Sequence, residues 1–253
     1  EALSGLDSIG GRFDIYSNPA MIDLSGLPNL SSSGPIHIER NSALKHISGF
    51  PSLTTSPGLR ITLNYALEDI TGFNNLTTIN GELYFYGNHK LKSFLGLSNL
   101  RTANTVVMGE NNLSDLAGLS GLTTIHENLE LAHEFFKNLH GLSNLTNVGG
   151  RLFIWRCNSL LNVNGLSGLT NVGGNLDITQ NDDLINIDSL SNLISVQGNV
   201  DISGNNVLTD VDGLSSLTTV EGNLLIAGDD LQNVDGLLNL TSVGGCFAVD
   251  GYV

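Results

Sequence analysis

Apolar residues in this chain recur with two superposed spacings. Within short segments they alternate, as in Leu152-Phe-Ile154, Leu176-Asp-Ile178 and Val200-Asp-Ile202, which turns every second side chain to one face of a short β-strand. Over a longer distance the phrase Gly-Leu-x-x-Leu returns, as Gly141-Leu-Ser-Asn-Leu145, Gly165-Leu-Ser-Gly-Leu169 and Gly213-Leu-Ser-Ser-Leu217. Copies begin near Ala2, Gly26, Gly49, Gly72, Gly96, Gly118, Gly141, Gly165, Ser189, Gly213 and Gly236, eleven in all, spaced mostly by 23 or 24 residues. No 3.6-residue period runs through a copy, so helix is not the repeating element. The remaining leucines and valines mark corners and two shorter extended segments that also point inward. One copy cannot close a core around itself, whereas stacked copies pair strand to strand at about 4.8 Å and bury a continuous apolar column. The pattern predicts an all-β, right-handed β-solenoid of about eleven coils, a single unit over residues 1–253. Such a rod is roughly 50 Å long at that spacing.

One polar column runs through the repeat. Asn18, Asn41, Asn64, Asn88, Asn111, Glu134, Cys157, Asn181, Asn205 and Asp229 occupy the same place in successive copies. Asparagine at a tight corner tolerates left-handed geometry and bonds the backbone of its own and the next coil, satisfying groups that a buried turn strands. The column reads as a structural asparagine ladder, and Cys157 as a substitution within it rather than a nucleophile.

Composition fits a turn-rich β protein: 40% hydrophobic residues supply a core, with 30 glycines and only 14% charged residues. The formal net charge is −15, from 10 basic and 25 acidic residues. That field repels phosphate backbones and anionic lipid, which argues against nucleic-acid binding. No stretch reaches the roughly 18 consecutive apolar residues of a membrane span, so no membrane insertion of this segment is expected. Cys157 and Cys246 lie several coils apart and are not expected to pair. The chain opens partway into a copy and stops inside one, without a polar cap, which predicts a piece of a longer surface protein whose exposed end coils could associate end to end.

The phrase L-T-x-V-x-G-x-L-x-I-x-x-N-x-x-L, carried by Leu145 to Leu160 with Cys157 in the Asn place and by Leu76 to Asn88, resembles the receptor L-domain class of leucine-rich repeats. That class includes the L domains of insulin and epidermal growth factor receptors and similar surface proteins of bacteria and fungi. The resemblance covers the whole chain. It implies an L-domain-like solenoid, an extracellular or cell-surface location, and a role in recognition, adhesion or surface structure. The disulfide-capped ends and cysteine-rich neighbours of the receptors are missing, so a hormone-receptor role is not implied.

Candidate chemistry is spread along the rod. His126, His133 and His140 share a coil but sit at different corners, without metal-ligand spacing. The outward positions of the main strand give Tyr16, Tyr84, Tyr86, Phe153 and Trp155 as candidate ligand-binding aromatics, because rigid aromatic anchors are enriched in binding hot spots. The competing reading is cross-strand packing of aromatics on the sheet surface. Tyr84/Tyr86 and Phe153/Trp155 are three coils apart, about 14 Å. Asp188, Asp212 and Asp235 form an acidic row that a calcium ion could neutralise, or that caps turns through its own backbone; no other cofactor is expected. A threonine row (Thr54, Thr77, Thr123, Thr146, Thr170, Thr218, Thr241) is reminiscent of ice-binding surfaces, with hydroxyl ladders between coils as the alternative. Asn29, Asn75, Asn112, Asn144 and Asn239 lie in N-x-S/T sequons. Asp177 and Asp201 are close enough for glycoside hydrolysis, but flat sheet neighbours make a poor groove.

These features predict a non-catalytic surface module that binds a protein or a glycan through its main sheet. The alternative is a passive spacer or building block of a wall or fibre.

Overall fold

The computed structural model describes residues 3–250. It is an all-β solenoid of about eleven turns with about 23 residues per turn, and the described residues contain no α-helix. The main sheet is built from Phe13–Tyr16, Ile36–Glu39, Leu59–Thr62, the second half of Thr78–Tyr86, the second half of Thr102–Gly109, Leu129–Ala132, Leu152–Trp155, Leu176–Thr179, Val200–Ser203, Leu224–Ala227 and Phe247–Asp250. All neighbours are parallel, with Leu129 opposite Leu152 and Leu152 opposite Leu176. The alternation of the sequence therefore becomes alternation of faces: Leu152 and Ile154 are fully buried, while Phe153 and Trp155 look outward and are half-buried.

A second, narrow sheet stacks two-residue strands such as Thr124–Ile125, Asn147–Val148 and Asn171–Val172. In the two coils with the long strands, Thr78–Tyr86 and Thr102–Gly109, the chain passes from this sheet into the main one without a break in strand structure, though their pairing shifts register between Ala103 and Thr105. On the third side the expected extended segment appears only early, as Asp23–Leu24 paired with His46–Ile47. From Thr71–Phe73 onward it is mostly replaced by short 3-10 turns, including Leu95–Leu97, His140–Leu142 and Asp212–Leu214. These turns are closed by the first leucine of the repeat phrase, whose N–H donates to the carbonyl three residues earlier, as Leu142 to Leu139 at 2.8 Å. The glycine of that phrase is demanded by close approach: a Cβ on Gly141 would lie 1.7 Å from the Leu116 carbonyl oxygen of the preceding coil.

The core is one continuous column. Phe50 and Phe73 stack at 5.0 Å in the early coils, and Phe85 meets Phe94 edge-on at 4.7 Å. Each fully buried leucine or phenylalanine contributes about 1.5–3 kcal/mol by leaving water. Leu238, Phe247 and Val249 of the last described coil remain exposed. No helix among the described residues is long and apolar enough to cross a membrane.

The asparagine column forms the ladder expected of it. Asn18, Asn41, Asn64 and Asn88 each donate their main-chain N–H to the side-chain oxygen of the next rung, at 2.9, 3.0, 3.1 and 3.2 Å. In the other direction Nδ2 of Asn41, Asn64, Asn88, Asn111, Asn181 and Asn205 reaches a carbonyl of the preceding coil. Glu134 accepts from the Asn111 N–H at 3.1 Å and Nδ2 at 2.8 Å, and Cys157 donates its N–H to Asn181 at 3.0 Å. Glu134 has a further reason to be there. At most rungs an N–H three residues on closes the corner, as Leu91 to Asn88 at 2.9 Å, but the corner after Asn111 is one residue shorter and lacks that bond. The Leu113 N–H is met by the second carboxylate oxygen of Glu134 at 3.3 Å.

Candidate functional site

The outer face of the main sheet carries two columns of side chains, set by the strand register. One runs Asp14, His37, Arg60, Tyr84, Val107, Glu130, Phe153, Asp177, Asp201, Leu225 and Ala248. The other includes Tyr16, Tyr86, Gly109, Ala132, Trp155 and Thr179. All five candidate aromatics are on this face. Tyr16 is 54% exposed and isolated near one end. Tyr84/Tyr86 and Phe153/Trp155 form two pairs of near-parallel rings, with centroids 6.3 and 6.0 Å apart. Between the pairs lie the strands bearing Val107, Gly109, Glu130 and Ala132. Gly109 and Ala132, the small residues of this stretch, leave a shallow trough between the two aromatic pairs, whose strands stand about 14 Å apart. Gly109 lies close against one wall: a Cβ there would sit 3.1 Å from the Tyr86 ring, which would have to give by a few tenths of an ångström.

Arginine covers these rings, a feature the sequence reading missed. The guanidinium of Arg60 lies 4.0 Å from the Tyr84 centroid, Arg151 3.9 Å from Phe153, Arg156 4.7 Å from Trp155, and Arg40 5.6 Å from Tyr16. Cation–π contact of this kind contributes about 0.5–2 kcal/mol and holds each ring upright. The aromatics are thus half-buried posts with polar sheaths rather than bare apolar anchors. Three of these four arginines are also neutralised: Arg40 by Glu39 at 3.4 Å, Arg60 by Glu82 at 3.6 Å, Arg151 by Asp177 at 2.5 Å. The signal in the sequence was arginine adjoining an aromatic position in the strand, as in Arg151-Leu-Phe153 and Trp155-Arg156. Tyr86 is held as a neutral donor, because its hydrogen bond to Glu110 and its partial burial push its pKa up to about 12.

The two rims of the trough differ in charge. One gathers Glu82, Glu127 and Glu130 around an open cleft of about 530 Å³. The other is the asparagine corner, where the residue before each rung adopts a left-handed backbone, φ 54° at His133, 50° at Arg156 and 55° at Gln180. There a cleft of about 550 Å³ opens beside Trp155.

The other candidates have plainer places. Asp188, Asp212 and Asp235 begin successive 3-10 turns and are exposed. Their N–H groups are accepted by the side chains of Asn186, Asp210 and Asn233. Burial, together with the charges of Asp210 and Asp212, raises the Asp188 pKa. Among the described residues no three His, Cys, Asp or Glu side chains converge as a metal site requires. The threonine hydroxyls are spent on inter-coil bonds, Thr77 to the Thr54 carbonyl at 3.0 Å and Thr241 to Thr218 at 2.9 Å among them. Nδ2 of the sequon residues Asn29, Asn75, Asn144 and Asn239 likewise donates to carbonyls of preceding coils. Both cysteines are free; Cys157 is buried, which pushes its pKa up to about 12, and Cys246 is exposed. Asp177 is committed to Arg151, which leaves no acid–base pair with Asp201.

No family model matches this chain, and no curated protein matches it.

Proposed function

We propose that the chain is a non-catalytic recognition or adhesion module of the extracellular space or cell surface, holding a protein or a glycan on the outer face of its main sheet. The observation that carries the reading is the gathering of upright aromatic posts and their arginines around one trough, on a chain whose net charge is −15. Aromatic and arginine side chains dominate binding hot spots, whereas a passive spacer has no need to concentrate them. The resemblance of the repeat phrase to receptor L domains supports the same reading and the same location.

Binding to panels of surface proteins and glycans tests it, using variants that leave the core untouched. Truncating one hot-spot aromatic costs about 2 kcal/mol, or roughly 30-fold in Kd. Tyr86→Ala and Trp155→Ala should each weaken capture to that extent, and Ala132→Arg should fill the trough and abolish it. Capture that survives all three, with folding intact, rejects the trough as the binding surface and favours the spacer.

A further inference from the structure

The cleft beside Trp155 has most of its polar side-chain ends unspent. It is lined by His133, Arg156, Asn158, Gln180, Asp182 and Asn206, with Gly204 opening its far side. The carbonyl of Gln180 is fixed, accepting from Trp155 Nε1 at 2.9 Å and from Arg156 Nε at 2.8 Å. Its amide nitrogen is thereby directed away from these contacts, and among the described residues it donates to no protein group. Arg156 differs from Arg12, Arg60 and Arg151 in having no carboxylate within ion-pair distance among the described residues. Asp182, Asn158 and Asn206 likewise make no side-chain hydrogen bond to the described protein. His133, which lines the cleft, packs edge-on against the Trp155 indole at 4.7 Å.

This lining selects a ligand class by elimination. The one cation, Arg156, and the one carboxylate, Asp182, cancel, so nothing favours a phosphate, a sulfate or a strongly charged chain. The lining side chains other than Gly204 end in polar groups, so a lipid or an apolar peptide finds nothing to desolvate against. What remains is a set of planar groups, some donating and some accepting, opposite a volume suited to a small ligand. Vicinal hydroxyls, each a donor and an acceptor at once, match that mixture. We propose that the cleft beside Trp155 binds a neutral oligosaccharide, with Asp182 and the outer nitrogens of Arg156 and Gln180 reading its hydroxyl groups. The inference rests on the reading of this face as a recognition surface and moves the sugar from the trough to its rim.

Trp155 is the single tryptophan and is bonded to Gln180, so its fluorescence reports occupancy of the cleft. The full chain is titrated with cellohexaose, chitohexaose and mannohexaose, with hexagalacturonate as the anionic comparator and calorimetry as a second readout. At least one neutral hexaose should saturate. Its Kd should rise tenfold or more in Asp182→Ala and in Arg156→Ala and stay within twofold in Tyr65→Ala, an exposed aromatic outside both the trough and the cleft. Asp182 is exposed and outside the ladder, so its variant retains the fold. Saturation by none of the neutral hexaoses, binding of hexagalacturonate alone, or a Kd indifferent to Asp182→Ala overturns the proposal. So does equal weakening by Tyr65→Ala, which would show a loss not specific to the cleft. Loss of the cleft with trough-dependent capture intact leaves the recognition reading standing, so the two fail separately.

Discussion

Glu134 gives the sharpest test of the ladder, because it is a buried carboxyl group standing in an asparagine place. The side chain is buried, and burial raises its pKa from 4.5 to about 7, against the hydrogen bonds from Asn111 and Leu113 that favour the charged form. The folded-state value lies above the unfolded one. Below pH 4.5 both states hold the proton and the group costs nothing. As pH rises the unfolded chain ionises first, so stability is lost up to about pH 7 and no further above it. The separation of the two values corresponds to about 3 kcal/mol. The protein has 25 acidic residues, so the effect must be isolated by difference. Denaturant unfolding of wild type and Glu134→Gln is compared at steps from about pH 4 to about pH 8, spanning both titrations. The amide places a donor opposite the Leu113 N–H, a cost of about 1–3 kcal/mol that shifts the difference without tilting it. Wild-type stability minus variant stability should therefore fall by about 3 kcal/mol across the interval and then level off. A difference that does not change with pH refutes the argument.

Three further outcomes follow from the same geometry. Cys157→Asn should stabilise the protein by about 1–2 kcal/mol in denaturant unfolding, since Sγ now only approaches the Leu131 and Trp155 carbonyls at 3.7 Å, where Nδ2 would donate properly; destabilisation would mean the corner cannot admit the rung. Asn88→Ala strips the acceptor from the Asn64 N–H and the donor from the Ile61 carbonyl, and should cost about 2–6 kcal/mol at about 1–3 per stranded group, read as a lowered unfolding midpoint. Gly141→Ala, whose methyl would overlap the Leu116 carbonyl, should destabilise by about 1–3 kcal/mol or more in the same assay; a neutral result would show that the coils can part there without penalty.

Much of the fold was legible because a solenoid writes each contact many times. Period-two alternation located the main strand, and the repeat length fixed which residue pairs with which, so Leu152 opposite Leu176 follows from spacing alone. The third side was less legible: whether the backbone at Asp212–Leu214 is extended or turned is decided by local hydrogen bonding, which the apolar pattern does not encode. The aromatic face was placed correctly, but its arginine sheath was not seen, because the cation often comes from a neighbouring column or coil, as Arg60 does for Tyr84. Two further ladders also escaped notice. One runs through asparagines such as Asn144, bonding Ser120 at 2.8 Å, and the other through Asn175, Asn199 and Asn223, at 2.9 and 2.8 Å between successive members. Their signal was present as recurrent asparagine in the repeat phrases, read there as turn composition and glycosylation sequons.

Several departures from the repeat fall together in one stretch, while Ser189 in a glycine place and Asp229 in the ladder column lie outside it. The shortened corner after Asn111, the carboxyl rung at Glu134, the cysteine rung at Cys157, the glycine floor at Gly109 and the Phe153/Trp155 posts all fall between Gly109 and Cys157. Each is locally unfavourable or neutral for the solenoid: Glu134 is a buried carboxyl group, Cys157 interrupts the amide ladder, and Gly109 gives up a strand side chain. A rod selected only for length and stiffness would be expected to repair such coils, since asparagine and a β-branched residue already serve these positions elsewhere. Consistency across levels fails where a sequence is answering to something besides its own stability. Here the failures border the trough on one side and the cleft beside Trp155 on the other. That coincidence joins the ladder to the recognition surface: restoring the repeat with Cys157→Asn should stabilise the rod, while the aromatic posts and the cleft are where binding is expected to be lost.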